Sequence, residues 1–210
     1  MRSYGQYCAL AKALDVIGDR WSLLIVRELL IRGGCRYTDL RDGLPGIATN
    51  LLADRLRDLE EAGVLVREEA PPPIATSLFH LTARGKELEP ALLLLGRWGA
   101  PLLSEAPKTD VFRSHWLALP GSEWLRDHAP DDPPIAIEIQ TGGDPVAVHA
   151  AGGKVSIRPG RAEHPDAVIT STPRLLLALL SGAVSLPQAR AAGLHYRGDP
   201  AILRRLQPGR

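Results

Sequence analysis

The chain has 210 residues, 45% hydrophobic and 23% charged, with 25 Lys+Arg against 24 Asp+Glu, an ordinary composition for one large or two average globular domains. A net charge of +1 excludes a polycation: residues 1–110 hold 14 basic against 15 acidic side chains and the remaining 100 hold 11 against 9, so any surface for nucleic acid must be basic only locally. Apolar runs such as 91–96 and 175–180 fall far short of the roughly 18 residues of a membrane span, and the N-terminus lacks a basic-then-apolar signal. Cys8 and Cys35 are too few for a disulfide framework or for a zinc site of about four ligands. A cytoplasmic protein with free, buried thiols, no membrane partner and no metal or other cofactor is expected.

Residues 7–32 carry apolar side chains at helical spacing in two sets, Leu10, Leu14 and Ile17, then Leu23, Leu24, Val26, Leu29 and Leu30. Gly18 and Asp19 form the corner between them, with Asp19 placed to cap a second helix beginning at Arg20 and Trp21. Gly33 and Gly34 stop that helix. Residues 36–44 read as a short helix closed by Gly43, Pro45 and Gly46, and residues 48–62 as a longer one terminated by Gly63. At about 100° per residue, Leu52, Leu56 and Leu59 share one face of the longer helix, with Asn50, Ala53, Asp54 and Arg57 opposite.

Residues 64–69 and 77–81 are strand-like, with a proline-stiffened tip at 70–76. A short helix, a Pro-Gly turn, a two-faced helix and two strands follow one another in the order of a helix-turn-helix with a wing. On this reading Asn50 and Arg57 contact base edges, while Arg36, Thr49 and Arg55 serve phosphates. Thr38 and Ala53 complete the DNA-facing set, and Arg67, on the incoming strand, is the cation available to the wing. Beyond Thr82 a helical stretch is broken near Pro90, with a second segment from about Glu89. Leu92, Leu93, Leu95, Trp98, Leu102 and Leu103 make that segment apolar on more than one side, which predicts burial against a second copy of the chain.

The runs ALDVIGDRWSLLIVREL, RYTDLRDGLPGIATNLLADRLRDLEEAGVL, LFHLTARG and LLGRWG resemble the successive landmarks of HxlR-type winged-helix transcriptional regulators over about residues 7–103. The resemblance implies symmetric dimers built from N- and C-terminal helices, with the helix at 48–62 in the major groove of a palindromic operator. Leu78 and Phe79 stand where that family usually has an acidic residue and Tyr in the outgoing wing strand. Some members sense oxidants or electrophiles through a cysteine near the position of Cys8; the expectation for Cys8 is a small buried hydrophobe.

Residues 104–110 read as a linker. Residues 111–126 are helical in part, with an interruption expected at Pro120-Gly121. Short strands follow at 135–140, 145–150, 154–159 and 167–171, the first three separated by Gly-Gly hairpin signals. A leucine-rich helix at 173–181 is capped by Thr172; a further helix at 186–192, a strand at 194–197 and a terminal helix at 200–206, capped by Asp199, complete the chain. The pattern PDAVIT, then LLLALLSGAVSLPQA, then GLHYRGDPAILRRL resembles the sterol-carrier-protein fold over about residues 135–206. That resemblance implies an apolar cavity, with Leu176, Leu179, Leu180, Val184 and Leu186 as candidate ligand contacts.

The expected architecture is a mainly α winged helix-turn-helix domain for DNA binding and dimerisation over residues 1–107. An α+β domain with a mostly antiparallel sheet and an apolar-ligand role follows at 108–210. Six dispersed histidines, and the lack of a nucleophile elbow or phosphate loop, argue against an enzyme. The expected partners are double-stranded DNA, a second copy of the chain and an apolar small-molecule effector. The competing function is an apolar-ligand carrier or scaffold whose winged helix serves protein contact only.

Overall fold

A computed structural model describes residues 3–69, 76–107 and 109–206, and the chain divides into two compact units, Met1–Thr109 and Asp110–Arg210. No helix among the described residues is long and apolar enough to cross a membrane.

The N-terminal unit begins with α1 (Ala9–Ile17) and α2 (Ser22–Arg32). A two-residue strand β1 (Cys35–Arg36), α3 (Tyr37–Gly43) and α4 (Thr49–Glu61) follow. Strands β2 (Leu65–Glu69) and β3 (Ser77–Leu81) form the wing, then α5 (Ala83–Lys86) and α6 (Glu89–Gly99) run into a 3-10 turn at Ala100–Ser104. The sheet order is β1-β3-β2, all antiparallel. Two residues carry no periodicity, so β1 is invisible to sequence patterning; it exists because Cys35 and Arg36 pair with Phe79 and Leu78. The proline-rich wing tip expected at 70–76 lies, up to residue 75, outside the described residues.

Ile25, Val26 and Leu29 of α2, Leu40 of α3, Leu52, Leu56 and Leu59 of α4, and Leu65 and Leu81 of the wing form the core. Glu28 is fully buried among them, compensated by Arg27 at 2.8 Å and Arg32 at 3.4 Å. Gly43 ends α3 directly against that carboxylate, and a Cβ there would overlap it. Two expectations fail at the surface. Asp19 does not cap α2, whose N-cap is Trp21; its carboxylate instead pairs with Arg55 of α4. Cys8, expected to be buried, is exposed, whereas Cys35 is fully buried.

The C-terminal unit opens with a 3-10 turn (Ser114–Leu117) and α7 (Ala118–Trp124). The helix runs through Pro120-Gly121 without the expected break, because Pro120 falls in the first turn, where its missing N–H is not needed. Strands β4 (Ile135–Gln140), β5 (Val146–Ala151), β6 (Lys154–Pro159) and β7 (Ala167–Thr170) precede α8 (Pro173–Leu180) and α9 (Leu186–Ala191). Strand β8 (His195–Gly198) and α10 (Pro200–Arg205) end the unit. The sheet order is β6-β5-β4-β7-β8; the β4–β7 pairing is parallel and the others antiparallel. Gly152 and Gly153, at φ +56° and +79°, supply the two left-handed residues of the tight β5–β6 hairpin.

Alternation along the strands sends Ile135, Ile137, Ile139, Val146, Val148, Ala150, Ile157 and Ile169 into one core with Leu176, Leu179, Leu180 and Leu206 of the helical side. Asp127, buried beneath this layer's edge, receives Arg205 Nε at 2.6 Å and Nη2 at 3.0 Å, plus the backbone N–H groups of Ala129 and Gly153. This ties α10 to the loop after α7 and to the β5–β6 hairpin.

Candidate nucleic-acid interface

Helix α4 is two-faced in space as in sequence. Leu52, Leu56 and Leu59 are buried, while Thr49, Asn50, Ala53, Asp54 and Arg57 are exposed. Its N-cap, Ala48, has no side-chain acceptor, so first-turn N–H groups are left for solvent or an anion. The orientation of α4 against α3 is held by Tyr37, whose hydroxyl donates to the Thr49 carbonyl at 2.6 Å. That bond was not foreseen, because nothing in the spacing of Tyr37 says which backbone it will meet.

Around this helix the expected contact residues separate. Arg36 is exposed at the N-cap of α3, where its backbone N–H donates to Asp39 at 2.9 Å, leaving the guanidinium outside the turn. Thr38 is exposed one residue into the same helix. Arg57 pairs with Asp54 at 2.7 Å, both more than half exposed. Such a surface pair is worth at most about 1 kcal/mol, so Arg57 can leave it for a base or phosphate.

Arg55 is different. Its guanidinium bonds Asp19 at the α1–α2 corner and Asp58 at 2.7 Å, and its Nε is buried without a partner. Those two carboxylates occupy the charge that a phosphate would need, so Arg55 is a tether between α4 and the α1–α2 corner. The helical wheel puts Arg55 beside the exposed face, but the wheel holds no record of Asp19.

Arg67 in β2 bonds Glu69 at 3.0 Å, and Ser77 donates to the same carboxylate at 2.7 Å. The hydroxyl of Ser77 and then Arg67 hold the Glu69 carboxyl below its usual range. With Glu68 and Glu69 beside it, the described part of the wing offers little to a polyanion.

Two further surfaces bear on function. On α1, α6 and the 3-10 turn after it a set of large apolar side chains faces solvent: Leu10 at 67% exposure, Leu94, Leu95, Trp98 at 77%, Leu102 and Leu103. In the C-terminal unit a cleft of about 650 Å³ lies between α8, α9 and α10, lined by Leu179, Leu180, Val184, Leu186, Leu203 and Leu206 with polar groups at its rim. Four of the five expected ligand contacts line it. Leu176 does not; it is fully buried in the core. The cleft opens to solvent instead of running through the sheet–helix core. Among the described residues, no three or more His, Cys, Asp or Glu side chains are grouped to hold a metal.

The geometry is matched by similarity to known proteins. The model of the HxlR-like helix-turn-helix family matches residues 16–107. An uncharacterized HTH-type transcriptional regulator of Synechocystis, sll1512, is 38% identical over 104 residues, 48% of this chain and 74% of the relative. The regulator YvaP of Bacillus subtilis is 36% identical over 87 residues, covering 41% of this chain and 80% of its own. YybR of the same organism is 35% identical over 113 residues, covering 52% and 85%. The family is one of transcriptional regulators and not of enzymes. A two-faced α4 after a Pro-Gly turn, the antiparallel wing behind it and these matches together mean that the chain belongs, through its N-terminal unit, to the HxlR-like helix-turn-helix family.

Proposed function

We propose that this protein is a sequence-specific, DNA-binding transcriptional regulator that holds a palindromic operator as a homodimer, with α4 in the major groove. The observation that carries this is the division of α4 into a buried leucine face and an exposed Asn50–Ala53–Arg57 face, fixed in angle by Tyr37. Asn50 and Arg57 read bases; Ala53 permits close approach; Arg36, Thr38 and Thr49 position phosphates; Arg67 makes at most a weak wing contact. Arg55 leaves the phosphate set because its charge is used internally. Dimerisation follows from the exposed apolar faces of α1 and α6, and it compensates for the low net charge by doubling the contacts. A regulator of this kind works in the cytoplasm.

The C-terminal unit takes an apolar small-molecule effector in the cleft lined by Leu179, Leu180, Val184 and Leu186, the role that the resemblance of residues 135–206 to the sterol-carrier-protein fold implies. Regulation requires that the effector bind the two arrangements of the DNA heads unequally.

Selecting fragments from random DNA with the purified full-length protein tests the central reading. The expected result is a palindrome with half-sites about one helical turn apart. Recovery of no sequence preference would overturn it and leave the carrier or scaffold reading, which the near-neutral charge favours. Native mass spectrometry of the same protein tests the effector: an apolar adduct is expected, and an apo mass throughout would count against it.

A further inference from the structure

The face of the C-terminal sheet opposite the core carries a polar pattern. Register places Arg158 of β6, Ala147 of β5, Glu138 of β4, Val168 of β7 and Arg197 of β8 in one row across the strands. Gln140, Thr170 and His195 form the neighbouring row. Within this row the outer groups at the β8 side are basic or donors, and all are exposed except Gln140, which is half-buried.

At that side, where β4 and β7 end and β8 begins, the surface sinks into a groove of about 470 Å³. It is lined by Arg190, His195 and Arg197 with Gln140, Thr170 and Tyr196; Val168 and Leu194 supply an apolar floor, and no carboxylate lines it among the described residues. The two arginines are presented differently. Arg190 is held in place, donating to the Tyr196 carbonyl at 3.2 Å with its guanidinium 5.4 Å from the Tyr196 ring. Arg197 is exposed and has no ion-pair or hydrogen-bond partner for its guanidinium among the described residues.

The acid in the first row, Glu138, is buried and already answered. It accepts from Arg161 at 3.1 Å, from the Ala162 N–H at 3.3 Å and from the Gln140 amide at 2.6 Å. The Gln140 carbonyl oxygen in turn accepts from the Thr170 hydroxyl at 3.2 Å, so the groove wall is a hydrogen-bonded chain and not a set of free rotors. A fixed guanidinium, a free guanidinium and an imidazole over an apolar floor, with the local carboxylate neutralised from behind, suit an anion that also carries a small apolar body.

We infer that this groove is a binding site for a small organic anion, a phosphate or carboxylate attached to an apolar group; it adjoins the apolar cleft of α8–α10, and Arg190 lines both. Arg197 supplies the charge-assisted bonds that leave with the ligand, and Arg190 the preset one.

The test is calorimetric titration of the full-length protein with phenyl phosphate, with phenol as the uncharged control and inorganic phosphate as the bare anion. Saturable binding of phenyl phosphate is expected, weaker binding of inorganic phosphate and none of phenol. Arg197→Gln should weaken phenyl phosphate about tenfold or more without lowering the melting temperature, since the side chain has no partner to lose. Arg190→Gln should weaken it as well, with a small loss of stability because its hydrogen bond to the Tyr196 carbonyl goes with the side chain. Arg158→Gln, on the same face but outside the groove, should leave affinity unchanged. Equal losses in Arg158→Gln and Arg197→Gln would overturn the inference, showing a diffuse basic face only. Absence of saturation would also overturn it, as would Arg197→Gln weakening DNA binding while leaving phenyl phosphate unaffected, which would assign the face to the DNA backbone.

Discussion

The C-terminal unit closes its core with its own chain, since the leucines of α8 meet the isoleucines and valines of the sheet and Asp127 clasps Arg205 from 78 residues away. The N-terminal unit buries a comparable leucine set inside but leaves Leu10, Leu95, Trp98 and Leu102 in solvent. A self-sufficient unit suits the sensing of small molecules, where the pocket must exist before the ligand arrives. A unit with apolar helices left outside suits association with another surface, and on the proposed function a second copy of the chain would supply both the missing burial and the second half-site.

The sharpest way to break this contrast is at α6. Trp98→Asp puts a charge at the centre of the exposed apolar face; it should convert dimers to monomers in sedimentation and lower operator affinity at least a hundredfold, because avidity is lost. A Trp98→Asp protein that stays dimeric would mean that the α6 face is not the interface.

The converse experiment attacks the self-contained unit. Asp127→Ala leaves Arg205 buried without its partner and should cost about 3 kcal/mol in the unfolding of the C-terminal unit, read by denaturant titration, while operator binding survives. The same clasp predicts an acid limit. The bidentate bond from Arg205, then the N–H groups of Ala129 and Gly153, hold the Asp127 carboxyl at about 2, against an ordinary 3.8. Because the folded value lies below the unfolded one, the stabilisation is complete above about pH 4 and disappears as pH falls towards 2. Asp127→Asn should flatten that part of the stability profile.

Within the N-terminal unit, Asn50→Ala should weaken operator binding by about 1–3 kcal/mol and relax preference at one base pair. Arg55→Ala should act differently: a stability loss of about 1–2 kcal/mol, between the limits for exposed and buried pairs, with the salt dependence of DNA binding unchanged. A flatter salt slope in Arg55→Ala would return that residue to the phosphate contacts. The smallest effect separates the two thiols. Burial pushes the Cys35 thiol up to about 12, so a thiol reagent at pH 8 should modify the exposed Cys8 and spare Cys35, as peptide mapping would read.

The two-faced character of α4 was legible in the sequence. Asn50, Ala53 and Arg57 share a helix face because 3.6 residues make a turn, and that period is written locally. The strands other than β1 and the caps Thr172 and Asp199 were readable for the same reason: alternation, turn glycines and capping residues act within a few positions. Asp19 misled because a carboxylate at a helix corner has two good uses, and the cap is the one that sequence displays.

By itself, then, the sequence determined most of the helices and strands, β1 excepted, and which of their faces are apolar, since both follow from short-range periodicity. Only the tertiary structure decided the partners: β1 with β3, Tyr37 with the Thr49 carbonyl, Arg55 with Asp19, Asp127 with Arg205, and Arg197 with none among the described residues. Charges and hydrogen bonds take their meaning from what lies within about 3 Å, and chain folding, not spacing along the chain, brings those atoms together.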